Sequence, residues 1–404
     1  MTSKTKWMIA GAAGLAVVGL VGEASAAGFM LREQSSEYLG NSFAGSAARA
    51  TSLATIWYNP AGMTLLSGHQ IAGSLTWIAP QARFSGTAFG VLPVNTGDAI
   101  DDAAVGSNFA MYSWSKDLKF GIAVVSPFGL RSNYPQGFGG MAHGLASAVT
   151  SIHVNPNVAW RVNQNLSIGA GLTGAWTEAD LTSASPLAPA QIVRVKGDDI
   201  GIGWNIGALW EFSPSTRVGI AYRSNIRNGL EGELTRNGVH LADIHADMTL
   251  PGTATLSFSH RIDDKWTILA DAQWTNWSVL KDLTIYNSAG GVVQTVDYSW
   301  RDTWFFSVGA DYEWSKGHTL HVGAAYDMGA IKDAQHRGVR VPDADRYWLS
   351  TGYTWDVNEH LKWNIAYAHL FASEADVAQT LPTALTGKYN ASVDILSTSF
   401  SYKF

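Results

Sequence analysis

The chain contains no cysteine. Disulfides, thiol chemistry and cysteine metal sites are therefore excluded. Charge is also scarce. Only 15% of the 404 residues are Asp, Glu, Lys or Arg, whereas soluble domains carry about a quarter. The net charge of −6 argues against a nucleic-acid partner. After Gly22 there is no long apolar run, which excludes a helical membrane protein. The single apolar run, Trp7 to Gly22, follows Lys4 and Lys6 and precedes Ala24-Ser25-Ala26. Residues 1–26 read as a secretory signal cleaved after Ala26. A membrane anchor, the rival, would be longer and followed by basic residues.

Aromatic residues are plentiful: 11% of the chain, with 17 tryptophans. Many aromatics, few charges and a neutral mean hydropathy fit strands with one face in lipid and one in water. The pattern from Gln70 onward agrees. Trp204, Ile206, Ala208, Trp210 and Phe212 share one strand face. So do Leu320, Val322, Ala324, Tyr326 and Met328, then Tyr347 to Trp355, then Leu361 to Phe371. A period of two is the strand signature.

The connections differ in length. Short turns are expected at Lys116-Asp117, Asn163 to Asn165, Ser213 to Ser215, Asp263 to Lys265, Ser315 to Gly317 and Asp356 to Glu359. Mostly longer stretches lie near 85–106, 130–148, 180–198, 233–246, 287–291, 329–344 and 372–389. Those connections join about fourteen strands, and an outer-membrane barrel alternates short periplasmic turns with longer outer loops. The expected fold is therefore all-β: an antiparallel transmembrane barrel over residues 68–404. The C-terminal "ILSTSFSYKF" reads as the closing strand, with Phe404 as the mark taken up by the barrel-assembly machinery.

Residues 27–67 lack strand alternation. They carry Phe29, Leu31, Tyr38, Leu39, Phe43, Leu53, Ile56 and Trp57. A disordered tail would be poor in such residues. A plug inside the lumen is favoured over a tail.

"AGFMLREQSSEYLGNSFAGSAARATSLATIWYNPAGMT", from Ala27 to Thr64, resembles the N-terminal hatch of the FadL/TodX family of outer-membrane transporters of hydrophobic compounds. "SPFGLRSNYP", "VNPNVAWRVNQNLSIGAGL", "GWNIGALWEFSPSTRVGIAYRS" and "VPDADRYWLSTGY" extend the resemblance along nearly the whole mature chain. It implies a fourteen-stranded barrel with a luminal hatch, in the outer membrane. It implies passive transport of long-chain fatty acids or, in some members, aromatic hydrocarbons of the toluene or xylene kind. Ligand would bind in the lumen and leave sideways beside a kink of the third strand. By the match, Asn59-Pro60-Ala61 is the hatch turn and gate candidate, and Phe29 stands where the family has a Phe near ligand. The kink matches Ser126-Pro127-Phe128-Gly129. Pro127 cannot donate to a ladder and Gly129 weakens a strand, so a bend there has a physical basis. A strand that simply ends is the other reading. The connections at 180–198 and 233–246 look modest for the family's outer groove. No basic residue matches the family's head-group contacts; Arg131, Arg194, Lys196 and Arg223 are the candidates, with solvated loop or lumen charges the favoured reading.

Other chemistry is weakly signalled. "GAGLTG" fits the G-x-G-x-x-G spacing, but it lies in strand alternation, so a cofactor site is not expected. Asp243, His245 and Asp247, or His318 with His321, lack a metal-ligand pattern, and no metal is expected. No G-x-S-x-G nucleophile motif occurs, so a barrel lipase or protease is the lesser alternative. A water-filled porin would have a polar inner face. The inward positions here include Leu209, Leu269, Phe305, Trp348 and Leu370. Such residues suit a greasy ligand path or packing against a plug. The expected protein is a monomer whose partners are hydrophobic small molecules and membrane lipid, with no cofactor and no nucleic acid.

Overall fold

Strand alternation over most of the chain can bury one face only if the sheet closes on itself or stacks. Here it closes. The computed structural model describes residues 28–185 and 187–404; the signal segment lies outside them. A ring of 14 antiparallel strands forms the wall. In chain order these are β1 Gln70–Ala88, β2 Ala103–Ser113, β3 Leu118–Val125, β4 Ala146–Arg161 and β5 Leu166–Ser185. Then come β6 Ala188–Ser213, β7 Thr216–Arg223, β8 Thr253–Arg261, β9 Trp266–Thr275 and β10 Thr303–Ser315. The last four are β11 His318–Asp327, β12 Arg346–Asp356, β13 Leu361–Ala372 and β14 Leu385–Lys403. β1 pairs with β14 from Gln70↔Lys403 to Ala88↔Leu385. The Phe404 amide adds a bond of 2.9 Å to the His69 carbonyl. Closure leaves no sheet edge for lipid to face.

The outer face is apolar along each strand. Trp204, Ile206, Trp210 and Phe212 are exposed, as are Leu320, Val322, Tyr347, Leu349, Tyr367, Phe371, Leu396 and Phe400. The six expected turns join neighbouring strands at one rim, and the longer connections lie at the other. Several of those connections hold strands: Leu92–Asp98, Gly129–Asn133 and Ala375–Gln379 pair with their neighbours, and two further connections are strand throughout most of their length. Strands β5 and β6 run on through 180–198, pairing Ala179↔Gly197 to Ala184↔Ile192. Residues 226–250 form a further hairpin, Ile226–Arg236 with Val239–Leu250, that pairs with β6. The Ser-Ala-Pro composition that suggested a loop is overridden by cross-strand pairing.

Residues 28–67 pass through the lumen. They form α1 Ser36–Leu39, α2 Thr55–Tyr58 and a 3-10 helix at Pro60–Leu65. Single turns of helix are not stable alone. They persist here because tertiary packing covers them: Tyr38, Leu39, Leu53, Ile56 and Met63 have no exposed surface. Polar bonds reach the wall in several directions. Ser36 bonds Ser397 of β14 at 2.7 Å, Asn41 donates to Ala310 O of β10 at 3.0 Å, and Thr64 donates to Ser167 of β5 at 2.6 Å.

Candidate functional site

The turn Asn59-Pro60-Ala61 is built by local rules. Asn59 caps the 3-10 helix, its Oδ1 accepting from the Ala61 amide at 3.1 Å, and Pro60 takes the first helical position. Asn59 Nδ2 donates to Ala47 O within the segment at 2.7 Å and to Ala208 O of β6 at 3.0 Å. The turn lies close to the wall because the wall has glycines beneath it. A Cβ on Gly207 would sit 2.0 Å from Asn59 Oδ1, and one on Gly169 would sit 2.6 Å from the Ala61 amide. Gly169 opens the "GAGLTG" stretch, which lies inside β5. Its glycine is thus a seat for the turn.

Charged groups fix the middle of the segment. The Asp271 carboxylate of β9 accepts from the Gly45 amide at 2.7 Å, from the Ser46 amide at 3.1 Å and from Ser46 Oγ. Arg49 pairs with Glu37 at 3.2 Å and with Asp311 of β10 at 3.1 Å. Burial raises the Glu37 carboxyl, but Arg49 outweighs it and holds the group below its ordinary range. Removing one partner of such a buried pair is strongly destabilising. Burial pushes the neighbouring Glu33 carboxyl up to about 7.

The N-terminal end is held differently. Phe29 sits among rings: Trp277 at 5.0 Å, Trp300 at 5.8 Å and Phe128 at 5.9 Å between centroids. Gly28 beside it has positive φ, and a Cβ there would be 2.7 Å from Trp277. Residues 29–31 bond to the expected kink. The Leu31 amide donates to Pro127 O at 2.7 Å, and the Gly129 amide donates to Phe29 O at 2.9 Å.

The kink itself is a break. Strand β3 stops at Val125, and the chain resumes strand pairing at Gly129–Asn133. Both pieces pair with β4. Only the first pairs with β2, from Ser113↔Lys119 to Asn108↔Val124. The wall is therefore unpaired between residues 103–107 of β2 and Ser126-Pro127-Phe128. It rejoins through an Ile100↔Ser132 bridge.

Between the N-terminal end and the wall lies a cavity of about 70 Å³. Leu31, Phe43, Trp57, Pro60, Phe128 and Phe305 give it apolar walls, while Arg32 and Arg223 bring two guanidinium groups to it. Arg32 pairs with Asp327 at 3.5 Å. Arg223 lies over the Trp57 ring at 3.4 Å and donates to Trp57 O at 2.7 Å and Thr173 Oγ1 at 3.2 Å. Among the described residues no carboxylate pairs directly with it, although the Asp271 carboxyl group lines the same cavity. Sequence reasoning grouped Arg223 with Arg131, Arg194 and Lys196. Those three have carboxylate partners: Asp101 at 3.4 Å, Asp180 at 2.5 Å and Glu178 at 2.9 Å. Arg223 is a lumen charge, half-buried against protein groups.

The remaining inward residues are all buried. Phe305 lines the cavity. Leu209 packs with Ala48, Ala50 and Ala61, Trp348 meets Phe43 edge-on at 6.1 Å, and Leu370 lies in the same core. Leu269 lies beside Gly45. Towards the outer rim, a second, smaller apolar hollow of about 30 Å³ lies among Ala179, Leu181, Val195, Leu230, Ile244 and Leu283. Among the described residues no cluster of His, Asp and Glu is arranged to hold a metal. Asp343 and Asp345 instead secure the loop before β12. Asp343 pairs with Arg346 at 2.5 Å and accepts from the Ala330 amide, while Asp345 accepts from the Gly329 amide.

Known proteins share this architecture. A Pseudomonas aeruginosa FadL homologue superposes with a TM-score of 0.87 at 24% identity, covering 94% of this chain and 100% of that one. The Ralstonia pickettii toluene transporter TbuX gives a TM-score of 0.69 at 18% identity, covering 91% and 99%. In sequence, a long-chain fatty acid transport protein of Escherichia coli O6:H1 is 24% identical over 443 residues, covering 96% of this chain and 97% of its own length. A 47 kDa outer membrane protein of Pasteurella multocida is 27% identical, covering 91% and 92%. The model of the outer membrane protein transport family (OMPP1/FadL/TodX) matches residues 17–404. With that match running through the luminal segment and all the wall strands, the chain belongs to the OMPP1/FadL/TodX family of outer-membrane transport proteins.

Proposed function

We propose that the protein carries long-chain fatty acids passively across the outer membrane, as a monomer and without catalysis. The observation that carries this reading is the apolar cavity with the unpaired Arg223 on its wall. An alkyl chain gains about 25 cal/mol per Å² of apolar surface removed from water. A carboxylate supplies the counter-charge that Arg223 lacks, through a charge-assisted bond.

In this reading the outer hollow collects ligand, and the cavity receives it. Ligand displaces Phe29 from its ring cage, which loosens residues 29–31 from the break in β3. The ligand then leaves sideways through the wall into lipid, past Ser126 to Gly129. Asn59-Pro60-Ala61 serves as the pivot of the gate: Asn59 holds the wall, and Pro60 faces ligand. Phe404 marks the chain for the barrel-assembly machinery.

A second reading is supported by the rings around Phe29. That cage suits a flat aromatic hydrocarbon, and the similar TbuX is a toluene transporter. Competition for a fluorescent fatty acid separates the two. Oleate displaces it at lower concentration than xylene if fatty acids are the ligand, and the reverse order rejects the main reading. In cells, the Pro60→Ala variant lowers oleate uptake; uptake equal to wild type rejects the pivot.

A further inference from the structure

The break in β3 leaves peptide groups of the wall without ladder partners. Running the β2–β3 register on from Asn108↔Val124 would oppose Ser126 to Gly106, but the ladder does not continue. A side chain from the luminal segment stands there instead. Gln34 Nε2 donates to Ser126 O at 2.9 Å, and Gln34 Oε1 accepts from the Ser126 amide at 3.3 Å. The same Oε1 accepts from Ser107 Oγ of β2 at 2.7 Å. Gln34, Ser107 and Ser126 are all buried. A primary amide has a donor group and an acceptor, like the peptide it replaces. Nothing else on the luminal segment touches both sides of the seam through one side chain among the bonds described.

We infer that Gln34 is the latch of the lateral exit: its amide stitches β2 to the broken β3 in the closed state, and withdrawing it opens the seam. This rests on the transport reading. The latch moves with the N-terminal end, because Gln34 Nε2 also donates to Leu31 O at 3.1 Å, and Leu31 is itself bonded to Pro127. Drawing Phe29 out of its cage therefore pulls on Leu31 and on Gln34 together. A buried peptide group facing hydrocarbon cannot stay unpaired cheaply. The Ser126 peptide accordingly has two satisfied states, one with the Gln34 amide and one with a polar group of the passing ligand or water. Gln34 is a positioning residue and does not need to touch ligand in the closed state.

The absence of cysteine gives a clean background for the test. Ser107→Cys and Ser126→Cys are introduced together and joined by a short, cleavable bifunctional thiol reagent. Binding is read from tryptophan quenching by a brominated fatty acid, and release from its transfer into acceptor lipid. The joined protein binds within about twofold of the unjoined one and releases at least tenfold more slowly; cleavage of the linker restores release. Gln34→Ala, and Gln34→Asn if the first does not fold, releases several-fold faster with binding unchanged. Release at the wild-type rate in the joined protein, or in the Gln34 variant, overturns the latch. A readout without ligand separates the latch from the transport reading. A lipid-soluble maleimide labels Ser107→Cys at least tenfold faster in the Gln34→Ala background than in the wild-type background. Equal labelling rates overturn the latch even if transport stands; faster labelling supports it even if fatty acid fails to bind.

Discussion

Replacing Arg223 by Met should separate ligands by their head groups. The guanidinium lies 3.4 Å over Trp57 at the cavity wall and has no carboxylate partner among the described residues. A hydrogen bond to a charged group contributes about 1.5–3 kcal/mol. At 1.4 kcal/mol per tenfold in affinity, loss of that bond weakens oleate by about 10- to 150-fold. Methyl oleate and hexadecane, which bring no negative charge, should change by less than about threefold. Arg223 also donates to Trp57 O and Thr173 Oγ1. Met leaves those acceptors unpaired, so thermal stability is measured alongside binding. Arg223→Lys is the second control; it keeps the charge and recovers part of the oleate affinity. The assay is displacement of a fluorescent fatty acid by each compound. Equal losses for oleate and methyl oleate, or an oleate change below twofold, would refute the head-group role of Arg223.

Other expectations concern the luminal segment. Asp271→Ala leaves the Gly45 and Ser46 amides without their acceptor, at about 1–3 kcal/mol for each buried group. Amide exchange at those residues should then accelerate by at least tenfold while the wall strands stay protected. Gly207→Val sets atoms where Asn59 Oδ1 lies, so the turn must lift from β6; single-channel recordings should show raised ion leak through an assembled barrel. Phe29→Ala removes the native occupant of the Trp277–Trp300–Phe128 cage, so apolar ligands should bind more tightly, and weaker binding of xylene would contradict competition for that cage. Docking of residues 28–36 should also depend on pH through Glu33, whose neighbours include Arg32, Asp327, Arg346 and Tyr58. Its carboxyl is raised from 4.5 to about 7 by burial, so the docked segment binds the extra proton and its stability falls as pH rises between those values. At 1.36 kcal/mol per unit the loss by pH 8 is about 3 kcal/mol. Protection factors, each taken against the intrinsic exchange rate at that pH, measure it at pH 5 and 8, and Glu33→Gln should abolish the difference.

Much of the wall was legible because strand side chains alternate with a period of two. Trp204 to Phe212 show their lipid face in any reading, and Asn, Asp, Ser and Gly mark the six short turns. Pro127 and Gly129 announced a defect, since neither supports a ladder. The stretch 180–198 was misread as a loop because its Ala, Ser and Pro residues carry little strand signal; pairing with a neighbour decides it. The charges were illegible for a related reason. Arg194 and Arg223 look alike in sequence; the register across β5 and β6 brings Asp180 to the first, while the second, on β7, lies opposite Asn205 of β6 and Thr253 of β8. Gly169 posed as part of a phosphate-binding motif. Its contact with Pro60-Ala61 spans over a hundred residues of chain and has no local signature. Gln34 is one polar residue among many, and its seam partners are a residue of β2, Ser107, and one in the break after β3, Ser126.

The most direct test is uptake of radiolabelled oleate by Gram-negative cells that lack their own fatty acid transporter and express this chain. Uptake above the empty-vector level, saturable and lowered by Arg223→Met, is the expected result. Oleate uptake no greater than in cells without the protein, with the barrel present and folded in the outer membrane, would contradict the account.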